Sequence, residues 1–194
     1  MQREDDIQGE LFSRPAKPSP DGLRYWPGVI AAEEEADLAA RLADLPFKPY
    51  EFHGYLGNRR TVSFGLRYDD DRQAVEDAAA PPTFLLNLRD RIADLAGVPS
   101  GDFVQSLINE YAPGAGIGWH RDRPQFGLVA GVSLLTPCVM RFRRKAGETW
   151  ERAFAPLAPR SAYLLSGPAR REWQHSITPL ETLRYSITFR TLAA

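Results

Sequence analysis

Two spacings of apolar residues divide the chain. Over residues 32–45 the apolar positions return at helical intervals, with Leu38, Leu42 and Leu45 on one stripe. Glu33, Glu34, Glu35 and Asp37 crowd the start of that segment, where the positive end of a helix dipole favours them. The acidic run is therefore read as a helix start and not as a binding site. A second helix opens at Pro81-Pro82, since proline suits a first turn. Phe84, Leu85, Leu88, Ile92 and Leu95 share its face, and Gly97 marks its stop. After Ser100 the period shortens to two, predicting strands over 105–111, 127–135, 139–143, 161–165 and 184–191. Residues 22–30 supply a short strand before the first helix. Residues 47–71 read as short strands with turns at Gly54 and Gly57. Residues 1–21, polar and holding Pro15, Pro18 and Pro20, read as an extended, partly disordered arm. The expected fold over 22–194 is α+β, mainly β: a double-stranded β-helix (jelly roll) with two supporting N-terminal helices.

Composition adds constraints. A chain of 194 residues, 43% hydrophobic and 25% charged, fits one domain with a real core. Its single cysteine, Cys138, excludes an internal disulfide and a cysteine-based zinc cluster, and suits a reducing compartment. The acidic opening residues lack the apolar run of a secretory leader. No stretch approaches the roughly 18 apolar residues of a membrane helix. A cytoplasmic monomer with no membrane partner is expected. The net charge of -1 hides an asymmetry: residues 1–100 carry 12 Lys and Arg against 18 Asp and Glu, residues 101–194 carry 12 against 7. A basic half favours an anionic partner.

The candidate chemistry sits at Asn109-Glu-Tyr-Ala-Pro-Gly-Ala-Gly-Ile-Gly-Trp-His-Arg-Asp122. On an extended strand His120 and Asp122 project to one side and Arg121 to the other. An imidazole and a carboxylate on one face offer two of the three ligands of a 2-His-1-carboxylate facial triad for Fe(II). The other histidines are His53 and His175. His53 has no carboxylate near it and reads as an ordinary surface or packing residue. His175, in Trp173-Gln-His175-Ser-Ile, follows Asp122 by about fifty residues, enough for several strands to return it beside the first pair. The last strand carries a further signal. Along it Arg184, Ser186, Thr188 and Arg190 face one way, and Tyr185, Ile187 and Phe189 the other. Two inward arginines are costly to bury without anions, and a small dicarboxylate compensates them through planar, forked hydrogen bonds. Asn109 and Tyr111, two apart on one strand face, add an amide and a phenol.

Together, Asn109-x-Tyr111-x-Pro-Gly, His120-x-Asp122, His175 and the Arg184–Arg190 pair resemble the AlkB family of Fe(II)/2-oxoglutarate-dependent dioxygenases, in order and spacing over residues 105–194. The resemblance implies that His120, Asp122 and His175 bind iron and form the catalytic centre. It implies that Asn109, Tyr111, Arg184 and Arg190 hold the cosubstrate 2-oxoglutarate, Arg190 near its metal-bound end and Arg184 and Tyr111 near its far carboxylate. The implied reaction consumes dioxygen and 2-oxoglutarate, yields succinate and carbon dioxide, and hydroxylates an N-methyl group on an alkylated base, which then leaves as formaldehyde. DNA or RNA is the implied partner, with the base single-stranded or flipped out.

Arg59, Arg60 and Arg67 alternate with Tyr55, Phe64 and Tyr68, the mixture a substrate lid needs to hold phosphates and stack on bases. Arg60 and Tyr68 are the expected substrate contacts. Two departures stand out. Repair demethylases tend to carry an acidic residue soon after His-x-Asp, where this chain has Arg123, Pro124 and Gln125, and Ser186 replaces a common asparagine. Arg170 is expected to orient the Asp122 carboxylate. Two other readings fit parts of the pattern: the same iron chemistry on a protein or small molecule, and a non-catalytic jelly-roll binding module.

Overall fold

Helix α1 (Ala32–Ala43) buries Leu38 and Leu42, and α2 (Thr83–Ala96) buries Leu85, Leu88, Ile92, Ala93 and Ala96. These elements belong to a computed structural model that describes residues 19–52, 55–69, 72 and 74–193. Gly97 closes α2 with φ at +76°, its N–H donating to the carbonyls of Ala93 and Asp94. Both helices lie against a large sheet built from β1 (Leu23–Trp26), β2 (Lys48–Phe52), β3 (Tyr55–Asp69), β5 (Gln105–Tyr111), β7 (Phe126–Leu134), β10 (Ser161–Leu165) and β12 (Arg184–Leu192). Its order is β1-β10-β7-β12-β5-β3-β2, with β4 (Ala74–Asp77) added on β3. A smaller sheet, ordered β6-β11-β8-β9, comprises β6 (Ile117–His120), β8 (Cys138–Ala146), β9 (Thr149–Leu157) and β11 (Gln174–Ile177). All pairings are antiparallel, and the two sheets face each other as a jelly roll. The expected fold class is the observed one.

Alternation on β12 decides what each side of the large sheet does. Tyr185, Ile187 and Phe189 pack with Ile108, Val132 and the helices, while Arg184, Ser186, Thr188 and Arg190 face the small sheet. Burying a leucine such as Leu42, Leu85 or Leu88 contributes about 1.5–3 kcal/mol, so the helix side anchors the sheet whose other side carries the polar residues. A second apolar cluster, including Val129, Met140, Phe142, Tyr163 and Trp173, fills the space between the sheets.

Several details differ from the sequence pattern. The segment after β2 is one fifteen-residue strand and not a series of short ones, with Gly57 inside it. Gly65 lets it bend: its φ is +76°, and a Cβ there would lie 2.2 Å from the Val104 carbonyl oxygen. Strand β9 and the short helix α3 (Gly167–Arg171) were not among the expected elements; the inward positions of β9, Ala153, Ala155 and Leu157, are mostly small. His53, the Tyr55 side chain and residues 1–18 of the expected arm lie outside the described residues. The described end of that arm joins the fold, since the Ala169 amide donates to the Asp21 carbonyl at 2.8 Å. No helix among the described residues is long and apolar enough to cross a membrane.

The acidic start of α1 holds one residue with a different task. Glu35 is buried, accepts the Leu135 amide at 2.8 Å and pairs with Arg160 at 3.2 Å. Leu135 and Arg160 both have positive φ, 69° and 62°. Glu35 therefore ties α1 to two turns of the large sheet that ordinary side chains adopt reluctantly. Glu35→Ala removes the acceptor of the part-buried Leu135 N–H and is expected to destabilise the fold by about 0.5–1.5 kcal/mol. Glu35→Gln, which keeps the acceptor, should lose less when their urea midpoints are compared.

Candidate active site

Strands β6 and β11 pair so that His120 and His175 stand opposite each other, their rings 4.3 Å apart. Strand β6 ends at His120, so the expected continuous strand through Asp122 does not form. Asp122 reaches the same space because a loop, not a strand, delivers it. Arg170 pins that loop from below, donating to the carbonyls of Asp122 at 3.3 Å, Arg123 and Phe126 at 2.6 Å each, and Gly127 at 2.9 Å. Arg170, expected to orient the Asp122 carboxylate, acts on the backbone of the loop that bears it and makes no hydrogen bond to the carboxylate itself. The carboxylate itself accepts from Arg190 Nη2 at 2.5 Å through Oδ1, and Oδ2 lies 3.6 Å from His175 Nε2. Among the described residues the three side chains are neighbours and not an already closed cage of metal-ligand distances.

Their protonation states suit a cation. Burial, and then the nearby His120, push the His175 imidazole down to about 3, against the pull of Asp122. Burial likewise lowers His120. Burial alone would raise the Asp122 carboxyl, but Arg190, His175, His120 and Arg170 outweigh it and hold it well below the usual carboxylate range. Two neutral imidazoles and one ionised carboxylate form the donor set that ferrous iron takes. His120 Nδ1 lies 2.9 Å from the Gly118 carbonyl, which assigns the proton to Nδ1 and leaves Nε2 as a lone pair.

The depressed His175 value carries a stability consequence. Above the ordinary imidazole value of 6.5 neither the folded nor the unfolded state binds the proton. Between 6.5 and about 3 the unfolded chain takes a proton that the folded site refuses. The metal-free chain should therefore lose stability as pH falls through that window, with a slope from this group approaching about 1.4 kcal/mol per pH unit. Urea denaturation in chelator at several pH values checks this, and His175→Gln should flatten the dependence.

Beside the histidines opens a cavity of about 720 Å³ between the sheets. Asn109, Tyr111, Ser186, Thr188 and Arg190 line it from β5 and β12, and Tyr163 lines it from β10. Arg184 lies behind the Tyr111 ring, its guanidinium 5.1 Å from the ring centre, and is only 1% exposed. Its Nε donates to Ser133 at 3.1 Å, yet neither terminal nitrogen has a hydrogen-bond partner, and no carboxylate pairs with it among the described residues. Arg190 donates to Gln105 at 2.8 Å as well as to Asp122, and its Nε is likewise buried without a partner. Unpaired buried guanidinium nitrogens are costly. Anionic oxygens at those nitrogens would remove that cost: Arg190 lines the cavity and Arg184 sits behind the Tyr111 ring, so the residues present fit 2-oxoglutarate. Burial raises the Tyr163 hydroxyl well above its ordinary range, which keeps it a neutral donor.

The lid residues divide between two faces. Arg59 faces the cavity, donates to Asn109 at 3.2 Å and stacks 3.8 Å from the Tyr50 ring centre. Arg60, expected to contact substrate, points the other way and pairs with Glu110 through two hydrogen bonds of 2.7 and 2.9 Å. That assignment is corrected by strand alternation: adjacent arginines on one strand cannot both face a cavity. Tyr68 lines the cavity, with the Arg123 guanidinium 4.7 Å from its ring centre.

A family model described as the 2OG-Fe(II) oxygenase superfamily matches residues 22–190. The chain belongs to that superfamily. Fe(II) and 2-oxoglutarate are accordingly the metal and cosubstrate of this oxygenase domain. Among curated relatives it is 27% identical over 182 residues to the alkylated DNA repair protein ALKBH8 homolog of Arabidopsis thaliana, covering 80% of this chain and 50% of that protein. It is 31% identical over 132 residues to the alpha-ketoglutarate-dependent dioxygenase AlkB of Escherichia coli strain K12, covering 62% and 60%. The chain thus spans about half to three fifths of these relatives' lengths. In fold it is similar to OsALKBH1, with a TM-score of 0.66 at 15% identity over 90% of this chain and 98% of that one.

Arg59, expected in the substrate lid, does line the cavity, whereas Gln105 and Tyr163 are cavity residues that the sequence pattern did not single out. Gln105 had a signal, since it shares parity with Asn109 and Tyr111 on β5. Tyr163 had none, because its place depends on Gly131: a Cβ there would lie 2.2 Å from the tyrosine ring.

Proposed function

We propose that this domain is an oxidative demethylase of alkylated nucleic-acid bases, DNA or RNA, releasing succinate, carbon dioxide and formaldehyde. The observation that carries the reading is the charge and ring content of the cavity lining. Lys48, Arg59, Arg67, Arg121 and Arg123 line it together with Tyr50 and Tyr68, and the acidic lining residues are Asp77 and Asp122. Cations that neutralise phosphates and rings that stack on a base are what a flipped nucleotide requires. The Arabidopsis relative's name, an alkylated DNA repair protein, supports the same reading.

In this proposal His120, Asp122 and His175 would hold iron, while Arg184, Arg190, Asn109 and Tyr111 orient the keto-diacid. Iron, 2-oxoglutarate and dioxygen together supply the oxidising power that hydroxylates the methyl carbon. The chain's own contribution is placement. Arg190 fixes the Asp122 carboxylate, and Arg170 fixes the loop that bears it. The domain is proposed to act as a cytoplasmic monomer.

The test is formaldehyde and succinate release from oligonucleotides carrying 1-methyladenine or 3-methylcytosine, offered as DNA and as RNA in parallel. The proposal expects stoichiometric formaldehyde from at least one strand type. Succinate formation that no oligonucleotide stimulates, or nucleic-acid binding insensitive to salt, overturns it.

A further inference from the structure

The outer face of the small sheet, away from the cavity, carries a pattern the proposed reaction does not use. Along β8 the residues alternate between the buried Cys138, Met140 and Phe142 and the outward Val139, Arg141, Arg143 and Lys145. Along β9 the outward positions are Trp150, Arg152, Phe154 and Pro156. Trp119 adds a ring from β6, one residue before His120. Arg143 lies between two indoles, 4.5 Å from the Trp119 ring centre and 4.4 Å from that of Trp150. Arg141 also stacks on Trp119 at 5.1 Å, and Lys145 on Trp150 at 5.1 Å.

Two features of this face make no sense as packing alone. Arg143 and Arg152 stand directly opposite each other across the β8–β9 ladder, where like charges destabilise a sheet. Among the described residues no carboxylate pairs with Arg141, Arg143, Lys145 or Arg152. Arg144, on the opposite face of the same strand, shows the contrast: it pairs with both Glu151 and Glu172 at 2.7 Å. Moreover, Arg141 and Arg143 hydrogen-bond through Nε, to Ser176 at 3.1 Å and Gln174 at 2.7 Å, and among the described residues no hydrogen bond takes up their terminal nitrogens. Large apolar side chains are exposed here too, Val139 at 45%, Trp150 at 39% and Phe154 at 46%. Arginines and aromatic rings also occur at protein interfaces, but charged residues are depleted at the centre of such a patch. Four uncompensated cations interleaved with rings match a polyanion that also has flat faces to stack.

We propose that this face is a second contact surface for single-stranded nucleic acid, which holds the strand flanking the nucleotide that enters the cavity. Arg141, Arg143, Lys145 and Arg152 take phosphates, and Trp150 and Phe154 stack on unpaired bases. Trp119 marks where the two surfaces meet, because β6 is an edge strand and its next residue, His120, lines the cavity. The proposal rests on the reading of the substrate as a nucleic acid, but binding tests it without turnover.

The measurement is fluorescence anisotropy of the full chain with an unmodified single strand of thymidylate or uridylate, across a salt series. Trp150→Ala should weaken binding at least about fivefold. Lys145→Gln and Arg152→Gln, both at exposed positions where the fold tolerates change, should each reduce the salt slope by about one. Arg41→Ala, on α1 and paired with Asp37, is the control and should leave both quantities unchanged. With a methylated trinucleotide the three variants should keep wild-type kcat/KM, and with a long methylated strand their KM should rise. Unchanged affinity and slope in all three variants overturns the proposal, as does an equal loss in Arg41→Ala or tighter binding of a duplex that shows the same losses. Variant-sensitive strand binding without formaldehyde release from any oligonucleotide leaves this surface standing and removes the demethylase reading. Formaldehyde release with variant-insensitive binding does the reverse.

Discussion

His120→Ala is expected to keep the fold and lose turnover. The side chain is half-buried, it makes one hydrogen bond to the neighbouring Gly118 carbonyl, and its removal opens no large core cavity. Removing an outer hydrogen-bond partner of a metal ligand already costs about 10–100-fold in affinity or activity. Removing a ligand itself should exceed that, so succinate formation should fall by more than about a hundredfold while circular dichroism stays unchanged. Asp122→Ala is a less clean probe. It also strips Arg190 of its ion pair, and breaking a buried pair by deleting one partner costs about 3–5 kcal/mol.

Arg184→Met separates binding from stability in the opposite direction. Each charge-assisted hydrogen bond contributes about 1.5–3 kcal/mol, so the 2-oxoglutarate requirement should rise by about 10- to 150-fold. The ligand-free variant, however, should be at least as stable as the parent. It exchanges a guanidinium with two unpartnered buried nitrogens for an apolar chain of similar length. A saturating ligand at about a hundred times its Kd stabilises the parent by about 2.7 kcal/mol. At the same ligand concentration that increment should shrink to about 0.3–1.4 kcal/mol in Arg184→Met, read in thermal melts with and without 2-oxoglutarate. An Arg184→Met protein that melts well below the parent without ligand contradicts the view of Arg184 as an uncompensated charge awaiting an anion.

Much of this was legible in the residues because strands write their faces in alternation. The parity of β12 separated the helix-packing residues from Arg184, Ser186, Thr188 and Arg190, and the run over 105–111 fixed β5 to the residue. Legibility failed where alternation stops or a partner decides. The loop after His120 has no period, and only the fold reveals that Arg170 holds it through backbone carbonyls. Arg60 looked equivalent to Arg59 until register set Glu110 opposite it. Glu35 resembled its dipole-facing neighbours, yet its role depends on turns a hundred residues or more away in sequence.

The central claim concerns His120, Asp122 and His175 as a single ferrous site whose neighbour is a keto-diacid clamp. Anaerobic calorimetric titration of the chelator-stripped chain with Fe(II), at saturating 2-oxoglutarate, reads that claim directly. One ion per chain in the parent, with binding weakened by more than about a hundredfold in His175→Ala, is the predicted result. A His175→Ala chain that still takes up one ion with undiminished affinity contradicts it.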